Sequence, residues 1–325
     1  MKNHAVCTSI FAGLLAFASA MPAFCQKQKV RVAVLNGPSA IPCAYLIEHK
    51  EDFPVDLSFT NFTSAQTELP SLLKGEVDVG FLPPNAAAKV FNSAKGAVIC
   101  LGIAGNGNLF LISADRAQTE DFSLKSLCGK TVYCAGQGAT PEYMFRFLLE
   151  SEGIKVNEKD GVTLDFSIPN ANLAGALASG KIEYALVPEP FATVAETKNS
   201  RVVRALNLQS LYRKKTGTTY PMTLLVANAG FARNNPDAVK TFTELYAKSS
   251  RWTVNNAKEA GTLTEKNGLG LKAQVAEKAI KNAGFTWKDA KQAQLEVEQL
   301  LTIFMNAAPE STGGKLPAED FYYER

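Results

Sequence analysis

The stretch YCAGQGATPEYMFRFLLESEG, at Tyr133–Gly153, places glycines between a strand-like run and a helical pattern. Gly136 and Gly138 would let the backbone approach a ligand closely. Thr140 is expected to be the N-cap of the helix and Pro141 its first residue. The unpaired N–H groups and positive dipole end of such a helix bind small polar or anionic groups. The stretch therefore predicts a binding site.

Residue types that carry out catalysis are scarce in this chain. Of the two histidines, His4 lies in the N-terminal leader and His49 in a segment typical of the polar side of a helix, so a Ser-His-Asp or Cys-His arrangement would depend on His49. That count excludes a metal site built on histidines. Pro141 stands where the dinucleotide fingerprint needs its third glycine, and the sequence lacks a phosphate-loop motif. These features predict a binding protein without turnover, cofactor or metal.

The N-terminus is typical of a signal peptide. Lys2 is the only formal charge in the first 26 residues, and Ile10–Ala20 is an apolar run too short to span a membrane. Small-x-small cleavage patterns follow, one of them ending at Cys25. We expect residues 1–25 to be removed and the protein to be periplasmic or otherwise extracytoplasmic. A lipid anchor at Cys25 is the alternative.

Composition is that of an ordinary globular protein. The 325 residues are 46% hydrophobic and 20% charged, which is enough for two domains. The net charge of +3 is spread along the chain without a Lys/Arg block, so nucleic acid is not an expected partner. The six cysteines show no zinc-type spacing. A Cys128–Cys134 disulfide and small buried thiols both stay open.

Two halves of the chain repeat each other. The segments LLKGEVDVGFLPPNAAA, from Leu72, and LASGKIEYALVPEPFAT, from Leu177, align at a constant offset of 105 residues. In each, a helical pattern ends at glycine, a short strand follows and proline closes it. Asp78 and Glu183 occupy equivalent positions, which favours a structural role over paired catalytic carboxylates. Short strands separated by helices predict two parallel α/β lobes.

The repeats suggest how the lobes are joined. We expect lobe 1 to be discontinuous (26–115 and 221–325) and lobe 2 to span 116–220, with the C-terminal helices packed on lobe 1. The apolar strands at Asn108–Asp115 and Met222–Ala232 flank lobe 2, with crossings predicted near 113–117 and 220–224. Ligands bind at the carboxyl ends of strands in open α/β sheets. The glycine turn is therefore expected to face a cleft between hinged lobes.

The chain resembles the extracytoplasmic solute-binding proteins of ABC importers, in the nitrate, sulfonate, taurine and thiamine-precursor branch. The matching segments are the signal peptide, LLKGEVDVGFLPPNAA, LCGKTVYCAGQGATPEYMFRFLLE, ALASGKIEYALVPEPFAT and the ending GGKLPAEDFYY. The resemblance implies the type II periplasmic-binding fold, whose two α/β lobes close on a ligand around a two-crossing hinge. It also implies a monomer that delivers a small molecule to a membrane permease and its ATPase.

The resemblance also implies where the ligand contacts lie. They come from the first turn, the loop after the third strand and the start of the helix in lobe 2. Polar residues beside the crossings and after a predicted strand join them, and Tyr220 offers a stacking face. Each also has an alternative role in a turn, or for Glu189 at a helix start. The predicted ligand-binding set is Ser39, Asn85, Asn106, Asn108, Gly138, Ala139, Thr140, Asn170, Glu189 and Tyr220.

The charge of these loops bears on the ligand. They contain no Lys or Arg, and Arg146 lies more than a turn into its helix. With Glu189 in the cleft, a neutral or amine-bearing heterocycle, such as a thiamine-precursor pyrimidine, is favoured over a sulfonate- or nitrate-type anion. Two other functions stay open. One is an enzyme on the same fold, of the pyrimidine- or menaquinone-forming type; the other is a ligand-sensing partner of a membrane receptor.

Overall fold

The computed structural model describes residues 27–114 and 122–324, which form two β-sheets flanked by helices. The predicted signal peptide, the anchor site at Cys25 and positions 115–117 of the predicted first crossing lie outside these residues. Within them, no helix combines the length and the apolar composition needed to cross a bilayer. The four cysteines they contain are free: Cys128 is exposed and the other three are buried.

The first sheet has six strands in the order β11-β4-β10-β3-β1-β2. β1 runs parallel to β2 and β3, whereas β10 runs antiparallel to β3 and β4. Helices cover both faces, and Val30, Val32, Ala33 and Val34 are all buried. The strands are β1 (Lys29–Leu35), β2 (Asp56–Phe62), β3 (Val79–Leu82), β4 (Val98–Asn106), β10 (Pro221–Asn228) and β11 (Phe285–Asp289).

The second sheet has five strands in the order β7-β6-β8-β5-β9. β6 runs parallel to β7 and β8, and β5 runs antiparallel to β8 and β9. Both sheets are thus mixed rather than parallel. The reason is that a chain crossing between lobes enters the next sheet from the cleft edge, against the strands that end there. The strands are β5 (Leu109–Ser113), β6 (Thr131–Cys134), β7 (Thr163–Asp165), β8 (Tyr184–Pro188) and β9 (Val203–Asn207).

Helices pack against both sheets. The C-terminal helices pack on lobe 1: α9 contacts α1 and β11, and α12 contacts α3 and β4. Lobe 1 carries α1 (Ile41–Glu48), α2 (Ala65–Leu73), α3 (Pro84–Ser93), α8 (Ala229–Asn234), α9 (Pro236–Asn255), α10 (Ala257–Lys266), α11 (Ala273–Ile280) and α12 (Ala290–Ala307); lobe 2 carries α4 (Thr140–Ser151), α5 (Asn170–Ala178), α6 (Phe191–Lys198) and α7 (Leu208–Thr216).

The first crossing lies earlier in the chain than predicted. Leu109 pairs with Pro188, so the strand that follows Asn108 belongs to the second sheet and the crossing is at 107–108, not at 113–117. An apolar strand of this kind can be buried in either sheet, and its local sequence does not say which. The second crossing, at 220–221, agrees with the prediction, although its strand ends at Asn228, whose side chain caps α8.

Candidate ligand-binding site

The lobes touch where the carboxyl ends of their strands face each other. Asn85, in the first turn of α3, lies just beyond β3, and Gly138 lies in the turn between β6 and α4. Asn85 Nδ2 approaches the carbonyl oxygen of Gly138 at 3.5 Å, at the long limit of a hydrogen bond. Two residues of the predicted set, one from each lobe, are therefore neighbours.

The turn before α4 is built differently from the prediction. Ala139 holds the N-cap position without a side-chain bond, and Thr140 is the first helical residue, so the prediction that Thr140 caps the helix is wrong. Glu142 supplies the acceptor instead: its Oε2 accepts the Gly138 N–H at 2.8 Å, and its Oε1 accepts from Arg146 Nε at 2.8 Å. A carboxylate thus already offsets the positive end of this helix, which makes it a weaker site for an anion.

Asn85 and Thr140 each bury an oxygen without a partner. Asn85 Oδ1 and Thr140 Oγ1 have no hydrogen bond, and both residues are more than nine-tenths buried. The amide orientation of Asn85 follows from its contact with a carbonyl oxygen, which requires the NH₂ group on that side. An unpaired buried polar atom costs about 1–3 kcal/mol. Both oxygens are therefore suited to a hydrogen-bonding group of a ligand.

A second group of predicted residues lies at the first crossing. The N–H of Asn106 donates to Gly284 O at 2.8 Å, and Asn108 Nδ2 lies 3.4 Å from Ala283 O. The carbonyl oxygen of Asn108 accepts the Glu189 N–H at 3.0 Å. The amide oxygens of both asparagines are buried and unpartnered. These contacts place the pair between the two lobes, beside the loop that precedes β11.

Tyr220 links the crossings and is fully buried. Its carbonyl oxygen accepts the Gly107 N–H at 2.8 Å, and its ring packs edge-on against Tyr212. A Cβ at Gly107 would overlap the Tyr220 ring and the amide of Gln209. The ring therefore packs inside the hinge, which does not fit the predicted role as a stacking face for a ligand.

The Glu189 carboxylate is held inside lobe 2. Its oxygens accept from Thr193 N and Thr193 Oγ1 at 3.2 and 3.1 Å, and Arg204 Nη1 lies 2.6 Å away. Burial raises the pKa of Glu189 above its ordinary value, against the opposing effect of Arg204. The structure agrees with the alternative role at the start of α6. Arg204 was missed because it arrives from the neighbouring strand β9.

A cavity of about 440 Å³ opens between the lobes beside this ion pair. Arg204 stacks over the ring of Phe110 at 4.4 Å and also binds the Glu196 carboxylate through Nε at 2.9 Å. Lys278 lines the lobe 1 side of the cavity. The cavity thus combines a cationic side chain from each lobe, Arg204 and Lys278, with the Glu196 carboxylate of lobe 2.

Two residues of the predicted set bond within their own turns: Ser39 Oγ lies 3.3 Å from Leu35 O, and the Ala139 N–H donates to Gly136 O at 3.1 Å. These contacts match the turn-forming alternative. Asn170, at the start of α5, instead accepts the Gly136 N–H at 3.3 Å through Oδ1, so it bonds to the glycine turn before α4. In the part of the chain that the structure describes, no cluster of three His, Cys, Asp or Glu side chains could hold a metal ion.

Comparison with known proteins gives one family match and several structural relatives. Residues 26–264 match the NMT1-like family. YtlA of Bacillus subtilis (strain 168), a candidate binding protein, is 25% identical over 234 residues, which are 70% of this chain and 67% of that protein. An ABC transporter structure from Parabacteroides distasonis aligns with a TM-score of 0.76 at 22% identity, covering 92% of this chain and 100% of that one. The periplasmic aliphatic sulphonate binding protein of Escherichia coli aligns with a TM-score of 0.71 at 15% identity, covering 91% and 92%.

Proposed function

This chain belongs to the NMT1-like family, and from that premise we propose that it is the solute-binding component of an ABC-type importer. It captures a small polar molecule between its lobes and delivers it to a membrane permease driven by an ATPase. The fold supports this role, since solved structures of an ABC transporter and of a periplasmic sulphonate binding protein share it.

The observation that carries the proposal is the meeting of the two lobes at their strand ends. Asn85 and Gly138 lie in contact across the cleft, and the crossings behind them are joined by the Gly107–Tyr220 hydrogen bond. Such an arrangement permits hinged closure over a ligand. The protein acts as a monomer in the periplasm or an equivalent extracytoplasmic space, after loss of its signal peptide or anchored at Cys25.

The ligand class that the cleft favours is a neutral or amine-bearing heterocycle. The unpartnered amide oxygens of Asn85, Asn106 and Asn108 accept hydrogen bonds, and Glu142 adds a carboxylate at the helix start. A ligand rich in hydrogen-bond donors satisfies these oxygens, whereas an anion without donors forms no hydrogen bond with them. A thiamine-precursor pyrimidine has the required chemistry.

A sulfonate- or nitrate-type anion is the second candidate. The cavity beside Glu189 brings Arg204 and Lys278 together from the two lobes. The Escherichia coli relative is described as an aliphatic sulphonate binding protein. Against this candidate, Arg204 is already paired with Glu189 and Glu196.

Two measurements on the mature protein test the proposal. Native mass spectrometry detects a carried ligand. Calorimetry measures the affinity for each of three compounds: taurine, nitrate and the aminopyrimidine precursor of thiamine. Asn85→Ala should weaken binding by about 1–3 kcal/mol. The matched control is Asn92→Ala on the same helix, since Asn92 bonds the carbonyl oxygens of Thr312 and Lys315 and should affect stability alone.

Other outcomes would support the rival functions. A product formed at a rate proportional to protein concentration would favour an enzyme on this fold. A gene neighbourhood with a receptor and without a permease would favour a sensor. Equal effects of the Asn85 and Asn92 variants on affinity would remove the proposed site.

A further inference from the structure

The parallel strands β1 and β3 of lobe 1 are paired over a very short distance. Val32 and Val79 form the single residue pair between them. On the side away from the cleft, Asp78 accepts from the Arg31 N–H at 2.8 Å and from Arg31 Nε at 3.0 Å. The regular pairing of the two strands is thus confined to the end away from the cleft.

Beyond this pair, the Glu68 side chain bonds to the backbone of β3. Glu68 lies in the first turn of α2 and is fully buried. Its Oε1 accepts the Phe81 N–H at 2.8 Å, whereas its Oε2 is buried without a partner. Gly80 makes room for the carboxyl group, because a Cβ at that position would overlap Oε1.

The internal repeat provides a comparison for this short β1–β3 pairing. At the offset of 105 residues, Glu68 corresponds to Leu173 and Gly80 to Ala185, and α2 corresponds in length and position to α5. Leu173 is buried in the apolar core of lobe 2. There β6 and β8 continue over three residue pairs, namely Val132–Tyr184, Tyr133–Ala185 and Cys134–Leu186. The shorter pairing in lobe 1 is therefore not a requirement of the repeated unit.

The surroundings of Glu68 favour a neutral carboxyl group. Among the described residues, its hydrogen-bond partner is the Phe81 amide, and it has no ion pair. Cys43 of α1 is the titratable group that interacts with it, and burial raises the pKa of that thiol far above its ordinary value. Tyr246 of α9, which interacts with Cys43, is likewise buried with a raised pKa. Burial raises the pKa of Glu68 itself to about 8.

We propose that Glu68 is a positioning residue for the cleft: its buried carboxyl group takes the place of further β1–β3 pairing and sets the spacing of the loops at 36–40 and 83–85. The proposal rests on the proposed function only in treating these loops as the lobe 1 side of the ligand site. Gly80 has a part in the same arrangement, because only a residue without a side chain leaves room for the Glu68 carboxyl group.

Ionisation of Glu68 places a buried charge beside the Phe81 amide, and none of the described residues forms an ion pair with it. The folded-state pKa of about 8 lies above the ordinary 4.5, so the folded protein holds a proton that the unfolded chain has lost. The stabilising contribution of Glu68 to the free energy of unfolding is therefore fully present in acid. It falls as pH rises from 4.5 to about 8 and stays constant above that. Both loops should respond at the upper end of this window.

Amide NMR on the ligand-free mature protein tests the proposal without knowledge of the ligand. The amides of Gly80, Phe81 and both loops should shift together in alkaline titration, with one midpoint near the pKa of Glu68. Glu68→Gln keeps the shape and an acceptor for Phe81, so it should fold and lose this midpoint throughout. A Cys128→Ser background removes the exposed thiol from the sample.

Two outcomes would overturn the proposal. One is a midpoint confined to Gly80 and Phe81 while the loop amides stay constant. The other is a loop midpoint that persists in Glu68→Gln. Either would leave the importer proposal intact, whereas failure of every compound to bind in calorimetry would reject the importer and leave the titration result standing.

A second variant gives lobe 1 the two residues found at the equivalent positions of lobe 2. Glu68→Leu combined with Gly80→Ala should lengthen the β1–β3 pairing, increase hydrogen-exchange protection in β1 and displace the loop amides from their wild-type positions at every pH. Loop amides that coincide with the wild type at acid pH would contradict the proposal. The Glu68→Gln titration decides the question if this double variant does not fold.

Discussion

Gly107 is the position at which one methyl group should disturb both crossings. Its N–H bonds to the Tyr220 carbonyl, and a Cβ would overlap the Tyr220 ring and the Gln209 amide. The Gln209 side chain ends in a flexible amide that can turn away. The Tyr220 ring cannot, because it is fully buried, with its centroid 5.2 Å from that of Tyr212. Gly107→Ala therefore has to move the second crossing.

The expected size follows from the overlap. Forcing an extra carbon into a packed site costs about 1–3 kcal/mol. Unfolding entropy is about 2.1 cal/mol/K per residue, or roughly 0.6 kcal/mol/K for about 300 residues. Gly107→Ala should thus lower the melting temperature by roughly 2–5 °C if the chain unfolds cooperatively. Separate unfolding of the lobes would enlarge the shift, since fewer residues then share the transition.

The matched control lies two residues earlier on the same segment. A Cβ at Gly105 would meet its nearest atom, Thr223 Cβ, at 3.8 Å, an ordinary contact. Gly105→Ala should therefore change the free energy of unfolding by less than about 0.5 kcal/mol. Differential scanning calorimetry and urea unfolding of the ligand-free protein measure both variants. Adding Tyr220→Leu to Gly107→Ala should restore part of the loss, because the two residues are in contact.

Equal melting of the Gly105 and Gly107 variants would refute this reasoning. So would strict additivity in the Gly107–Tyr220 double variant, since the overlap would then not involve the ring.

Three further predictions concern the site. Glu142→Ala should lower the free energy of unfolding by about 1 kcal/mol, because Gly138 loses its acceptor, whereas Thr140→Ala should change it by less than about 0.5 kcal/mol; urea unfolding checks the order, and the reverse order would make Thr140 the cap. Glu189→Gln should lower the free energy of unfolding by about 1–3 kcal/mol and barely alter ligand affinity in calorimetry, because the Glu189 carboxylate binds Arg204. Lost affinity at unchanged stability would place Glu189 at the ligand. Small-angle scattering should show a smaller radius of gyration on binding, and no change would contradict the hinged trap.

Local sequence carries the two-lobed architecture because each repeated unit marks its own boundaries. Glycine ends a helix, alternating or apolar residues form the next strand, and proline closes it, so Gly75 and Gly180 mark the same point in both lobes. The buried stripes of α9 and α12 are readable for the same reason, since a helix that packs on a sheet repeats its apolar residues every three or four positions.

The assignment of β5 to the second sheet is beyond local sequence. Its apolar residues fit a buried strand in either lobe, and pairing with β8 and β9 depends on segments about 70–100 residues away. Sheet membership, unlike strand formation, is decided by these distant partners.

The candidate site shows the same limit at the level of single side chains. Thr140 has the right type and place for an N-cap, but the longer side chain of Glu142 reaches the turn from within the helix and leaves Thr140 without a bond. Arg204 follows Glu189 by 15 residues and reaches it from a neighbouring strand, so no spacing rule reveals the pair. Tyr220 has a ring suited to stacking, but packing at the crossing turns it inward.

The hydrogen bond between the crossings restricts how the lobes can move. Two separate connections would let one lobe twist or slide relative to the other. Because the Gly107 N–H is bonded to the Tyr220 carbonyl, the two connections lie side by side and define one axis. Rotation about that axis keeps this bond, whereas twisting would have to break it and displace a buried ring. If the lobes close on a ligand as proposed, the position of one lobe relative to the other is then described by a single angle.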